Sequence, residues 1–177
     1  MSQLDRLDEQ SKLTIKVAAV IGQQFSDDVL SGAYPVEIDY QELKKCVEGL
    51  ELRDFVRSSD NEGLVNYIFK NMLTRDVAYE SLLFAHRREY HRRVGMFIEE
   101  HNPDKLVEWC EELGRHFYHS EDDVRASKYC TMAGTKAFDL YANTSAETWF
   151  SRALERTPEE RDPALRYHLL SMLSLIH

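Results

Sequence analysis

The feature that most constrains this chain is a pair of changes in hydrophobic period. Through residue 52 apolar side chains recur at helical spacing. Residues 54–57 (DFVR) and 64–69 (LVNYIF) are then β-prone runs separated by turn formers from Ser58 to Gly63, and from Asn71 onward the helical spacing returns. The expected fold class is therefore mainly α with one β-hairpin.

Leu4, Leu7, Leu13, Val17, Val20 and Ile21 predict an amphipathic first helix, with Gly22 placed where a left-handed C-cap ends it. Ser26, ahead of Asp27 and Asp28, opens a short helix to about Ser31 that Pro35 stops. Asp39 caps a third helix through about Leu52, with Leu43, Val47, Leu50 and Leu52 as its buried face. Three short helices followed by a hairpin is the element order of a winged helix, and residues 1–83 are expected to form a winged-helix-like module. Helix resumes in two pieces through Leu82 to His101, with Leu73, Val77, Leu82, Leu83, Tyr90, Val94 and Ile98 as apolar positions and Pro103 at the end. Further helices are expected over 104–119, 122–141 and 144–156, and from Pro163 to the terminus.

In this half, residues 84–177, the spacing Ala126, Cys130, Ala133 returns twenty residues later as Ala146, Phe150, Ala153. That is the small, large, small pattern of the second helix in tetratricopeptide repeats. Trp109, Leu113, Gly114 and Phe117 approach the first-helix pattern W-x2-L-G-x2-Y, with one extra residue after the Trp. Twenty residues is not the repeat's 34, so the expectation is an irregular antiparallel tetratricopeptide-like array, with a non-repeating bundle as the alternative.

The charge balance, 31 Asp and Glu against 22 Lys and Arg for a net charge of -9, repels phosphate backbones, and nucleic acid is not an expected partner. The three cysteines, Cys46, Cys110 and Cys130, are too scattered for a disulfide framework or a paired CxxC zinc site, which points to a reducing, cytoplasmic setting. No apolar run approaches the roughly 20 residues that span a bilayer, so no membrane is expected as a partner. GxxxxGK[ST], GxGxxG and HExxH are all absent, and no catalytic, cofactor-binding or metal residues are assigned. Cys110, His116, His119 and Cys130 can be imagined as a metal set, but two core cysteines with helix-edge histidines is the preferred reading.

One basic cluster stands out in residues 86–93 (HRREYHRR). Arg88 and Arg92 share a helix face with Arg87 displaced by about 100°, and together with Arg93 they form a candidate interaction surface. The third helix, which in a winged helix enters the major groove, carries Asp39, Glu42, Glu48 and Glu51 against Lys44 and Lys45. The wing tip adds Asp60 and Glu62.

Residues 67–83 (YIFKNMLTRDVAYESLL) followed by 87–94 (RREYHRRV) resemble the segment after the NTPase core in STAND-class ATPases. These are often fused behind an adenylate/guanylate cyclase domain and are similar in layout to soluble adenylate cyclases. Residues 4–8 (LDRLD) and 16–25 (KVAAVIGQQF) are similar to that family's entry into the segment. The resemblance covers roughly the first hundred residues well and the later helices more loosely. It implies an order of cyclase, P-loop NTPase, winged-helix-like module and tetratricopeptide repeats, of which this chain lacks the first two. ATP and Mg would then belong to the parent, with no cofactor in this segment.

By the same resemblance Phe69, Leu73, Val77, Tyr79 and Leu82 are packing residues, and Arg87, Arg88, Arg92 and Arg93 an interdomain surface. The expected function is a non-catalytic regulatory and protein-interaction fragment of a multidomain signalling ATPase. Its partners would be the parent's other domains and a protein or ligand on the repeats. The alternative is a DNA-binding transcription regulator of the STAND type with a helical sensor half. The stripe Leu165, Leu169, Leu170, Met172, Leu173, Leu175, Ile176 suggests truncation at the C-terminus, or a surface that dimerises.

Overall fold

A computed structural model describes residues 3–61 and 64–176. The chain is mainly helical with one small antiparallel sheet of three strands, and it divides into two compact units, Met1–Phe97 and Ile98–His177. Among the described residues no helix is long and apolar enough to cross a membrane.

In the first unit, a 3-10 turn at Gln3–Arg6 precedes α1 (Glu9–Ile21), so the expected first helix is broken at Asp8. The Asp8 carboxylate caps α1 by accepting from the Ser11 N–H at 2.9 Å. Gly22 ends α1 as predicted, but at φ 154° and ψ −164°, a region open essentially to glycine and distinct from the left-handed helical cap expected there. Strand β1 (Gln24–Ser26) follows, then α2 (Asp27–Ala33) and α3 (Tyr40–Leu52). Ser26 and Asp39 are their N-caps, the latter accepting from the Gln41 N–H.

Leu43, Val47 and Leu50 are buried along α3, each contributing about 1.5–3 kcal/mol of transfer free energy. Leu52 is 89% exposed, because it lies two residues past Leu50, about 200° round the helix from the buried stripe. The hairpin is β2 (Val56–Asn61) with β3 (Leu64–Phe69), and β3 is central, in the order β1-β3-β2. Three residues hold β1 in place by pairing Gln24 with Ile68 and Ser26 with Asn66, while Phe25 stacks on Tyr67 with ring centroids 5.4 Å apart. The buried Asp27 accepts from the Tyr40 hydroxyl at 3.1 Å, joining α2 to α3. Helix α4 (Met72–Glu80) and the start of α5 (Phe84–His101) complete the unit.

The second unit is built from consecutive neighbours. Residues 104–109, expected as helix, form a 3-10 turn at Pro103–Lys105 and further turns, and α6 (Cys110–Ser120) starts only after Trp109, without a side-chain cap. Then come α7 (Asp123–Asp139), α8 (Asn143–Glu155) and α9 (Pro163–Ile176), with α6 packing on α7, α7 on α8 and α8 on α9. Gly134 lies against the Phe150 ring, while Ser127 near the start of α7 bonds Thr157 just past the end of α8, which makes this pair antiparallel. Gly114 lets α6 approach the Cys130 backbone closely, since a Cβ there would sit 3.3 Å from the Cys130 nitrogen. Ala126, Cys130, Ala133, Ala146, Phe150 and Ala153 are all fully buried, so the repeated spacing marks the packed sides of two neighbouring helices. Glu121 (φ 59°) and Tyr141 (φ 58°) make the tight α6–α7 and α7–α8 links in left-handed conformations.

Candidate interaction surfaces

The four arginines of the expected surface lie between residues 87 and 93 of α5, where they do different things. Arg87 donates to the Leu82 and Glu80 carbonyls at 3.0 and 2.7 Å, and its guanidinium lies 5.0 Å from the centroid of the Tyr79 ring. It closes the α4–α5 corner by satisfying carbonyls that a helix end leaves open. Arg93 bonds Glu89 at 2.8 Å and the Tyr34 carbonyl at 3.3 Å, tying α5 to the end of α2. Arg92 shares Glu89, and its hydrogen bond, followed by that of Arg93, holds the Glu89 carboxyl below its usual range against the opposing effect of partial burial. Arg88 is exposed, 5.9 Å from the centroid of the Phe84 ring. The structure thus assigns Arg87 and Arg93 to internal joints and leaves Arg88 and Arg92 facing outward.

Leu83 and Phe84 at the same corner are 68% and 65% exposed. Leu73 and Val77, expected to pack, are exposed as well. Helix α4 meets α1 through the fully buried Ala78 and through Arg75, which donates to the Ala19 carbonyl at 3.1 Å, and this rotates the larger apolar residues outward. Phe69 and Leu82 are buried as expected, and Tyr79 bonds the buried His91 Nε2 at 3.0 Å.

The outward face of α3 is of mixed charge. Glu42, Lys44, Lys45 and Glu48 are exposed on it, while Asp39 is spent as the N-cap and Glu51 turns to the hairpin. Glu51 accepts from the Ser58 N–H at 2.6 Å and hydroxyl at 2.8 Å, and these bonds hold its carboxyl below the ordinary value. Of the expected wing-tip acids, the Asp60 side chain and Glu62 lie outside the described residues.

Cys110, His116, His119 and Cys130 do not assemble, and among the described residues no three His, Cys, Asp or Glu side chains come together as a metal set. Burial pushes the Cys130 thiol up to about 12 and raises that of Cys110; Cys130 Sγ donates weakly to the Gly114 carbonyl at 3.6 Å. His116 is buried 2.9 Å from a guanidinium nitrogen of Arg115. In the C-terminal stripe, Leu169 is fully buried and Leu165, Met172, Leu173 and Ile176 pack around the same cluster, leaving Leu170 and Leu175 exposed.

The fold also brings together three side chains that sequence spacing did not connect, Tyr118 on α6 with Trp149 and Arg152 on α8. The Arg152 guanidinium lies 5.3 Å from the Tyr118 centroid and 5.0 Å from that of Trp149, and among the described residues it makes no hydrogen bond or ion pair. Tyr118 donates to Glu155 and is covered on its ring by Arg156 at 4.6 Å. Burial, followed by the charges of Arg115, Arg152 and Arg156, lowers the pKa of His119 beside them. The Trp149–Arg152 spacing on one helix was visible in the sequence, but the Tyr118 ring joins it only once α6 and α8 pack. Compared with protein-family models, curated proteins and solved structures, the chain matches none.

Proposed function

We propose that this chain is a non-catalytic regulatory and protein-interaction module of a multidomain signalling ATPase, of the kind linked to adenylate/guanylate cyclases. The observation that carries the reading is the α4–α5 corner, where exposed Leu83 and Phe84 adjoin Arg88. Apolar and aromatic side chains beside an outward arginine have the composition of a protein interface rather than of a solvated face. The corner falls within the residues that resemble the segment following an NTPase core.

The element order α1-β1-α2-α3-β2-β3, with β3 between β1 and β2, supports a winged-helix-like first unit. Consecutive antiparallel packing with small residues at the contacts supports a tetratricopeptide-like second unit. In this reading the first unit docks on the parent's nucleotide-bound core and shifts with its state. The helices bind a partner whose differential affinity for the two arrangements biases the switch. ATP and Mg are held by the parent core, in the cytoplasm.

Substituting Arg88→Glu and Arg92→Glu should alter regulation of the parent ATPase while leaving the fragment folded. Unchanged regulation with normal stability removes this surface, and coding sequence that lacks an in-frame GxxxxGK[ST] upstream removes the parent. The element order equally favours a second reading, a DNA-binding transcription regulator with a helical sensor half. The mixed-charge face of α3 and the net charge of -9 weigh against it. A gel shift on duplex DNA that weakens steeply with salt would favour it.

A further inference from the structure

We propose that the face formed by α6 and α8 binds a peptide that carries one carboxylate next to an apolar side chain, with Arg152 as the anchor for that carboxylate. A guanidinium has five N–H donors in a planar fork, no acceptor and a permanent charge, so a partly buried one is normally matched by an anion. Arg152 has none among the described residues, yet it is held between the Tyr118 and Trp149 rings. The rings attract the cation through their faces and restrict its rotamers, leaving the edge of the fork available. A carboxylate accepts two parallel hydrogen bonds from such an edge, and a fork already held in place loses little further freedom on binding.

The neighbouring cations make the same point. Arg115 is paired with Glu112 at 2.6 Å, and Arg156 and Arg161 share Asp123 at 3.5 and 3.7 Å, whereas Arg152 has no ion pair among the described residues. Burial first, and then the charges of Arg115, Arg152 and Arg156, lower the pKa of His119 beside this group. Glu112, Glu155 and Asp123 border the site, and the whole chain is strongly acidic. A phosphate polymer would be repelled by that border, whereas a single carboxylate fits the fork and an adjacent apolar side chain fits against the rings. This deepens the partner-binding half of the proposed function, but it stands on the second unit alone and is independent of any parent ATPase.

The test is fluorescence anisotropy of a fluorescein-labelled peptide Gly-Leu-Glu-Leu-Gly-Ser with a blocked C-terminus, and of its Gln counterpart, titrated with the full chain. The Glu peptide should bind at least tenfold more tightly. Arg152→Gln should weaken the Glu peptide at least tenfold and Arg152→Lys less, while Arg53→Gln, which removes an exposed cation of the first unit, leaves it unchanged. Circular dichroism checks the fold of each variant. Should Arg152→Gln unfold the second unit, Trp149 emission in a Trp109→Phe chain supplies the readout, and it should change on adding the Glu peptide without its label but not the Gln one. Equal affinity for the two peptides, unchanged affinity in folded Arg152→Gln, or an equal loss in Arg53→Gln would overturn the proposal. So would displacement of the peptide by inorganic phosphate at lower concentration than by acetate. Failure here leaves the effect of Arg88→Glu and Arg92→Glu on the parent ATPase untouched, so the two readings fail separately.

Discussion

Gly134→Ala puts one methyl group where α7 and α8 meet, and its effect can be worked out in advance. The added Cβ would sit 2.6 Å from two carbons of the Phe150 ring and 3.0 Å from a third. Phe150 is fully buried in a cluster with Cys130, Ala137, Ala146, Ala153 and Leu169, so the ring has little room to retreat. Overpacking of this kind costs about 1–3 kcal/mol, whereas replacing a mid-helix glycine by alanine returns up to about 1 kcal/mol. The steric effect wins, for a net loss of about 1–2 kcal/mol.

Gly49→Ala in α3 is the matched control. Nothing lies within 4 Å of its Cβ, so only the backbone gain remains, about 0.5–1 kcal/mol. Both tryptophans, Trp109 and Trp149, belong to the second unit, so their fluorescence in urea reports Gly134→Ala while circular dichroism follows Gly49→Ala. With an m-value of about 2 kcal/mol per M, the Gly134→Ala midpoint should fall by roughly 0.5–1 M. Adding Phe150→Leu, which frees space, should make the pair less than additive. A rise in midpoint for Gly134→Ala, matching that of Gly49→Ala, would refute the close α7–α8 contact.

Arg87→Ala should destabilise the first unit by about 1 kcal/mol in thermal melts, because it removes the hydrogen bonds to the Glu80 and Leu82 carbonyls; an unchanged melting temperature would refute the joint. Glu51→Gln should flatten the acid side of the stability curve. The native carboxyl titrates below its unfolded value near 4.5, so the unfolded chain binds more protons in that interval. Its contribution is then present above that pH and lost as pH falls through the lower native value; an unchanged slope between wild type and variant would refute it. Cys130, its thiol pushed up to about 12, should react with a disulfide reagent at pH 8 no faster than its unit opens, measured as a rate that rises with urea.

Elements written in local chemistry were legible in the sequence. Asp39 and the Leu43, Val47, Leu50 spacing define α3 without help from the rest of the chain, and the buried small residues of α7 and α8 declare their own packed sides. Strand β1 was not legible, because Gln24-Phe25-Ser26 is too short to show alternation and is extended only through its pairing with β3. Residues 104–109 looked helical by composition, but Pro103 and the missing cap at Trp109 delay the helix to Cys110. The arginines of α5 were found as a cluster. Their division into joints and outward charges depends on Glu89, Tyr34 and the α4 carbonyls, which only the fold brings within reach. The ring–guanidinium group at Arg152 spans two helices and so has no signature in either alone.

The connectivity of the two units sets different clocks for their folding. The first is closed by Gln24 pairing with Ile68, so its sheet cannot exist until the intervening helices and the hairpin have been synthesised, and loop closure must be met before the pairing repays it. The helices of the second touch mainly their immediate successors, so each adjacent pair can form as it leaves the ribosome. Hydrogen exchange should accordingly show the strands losing protection together and the helices losing it in a graded series.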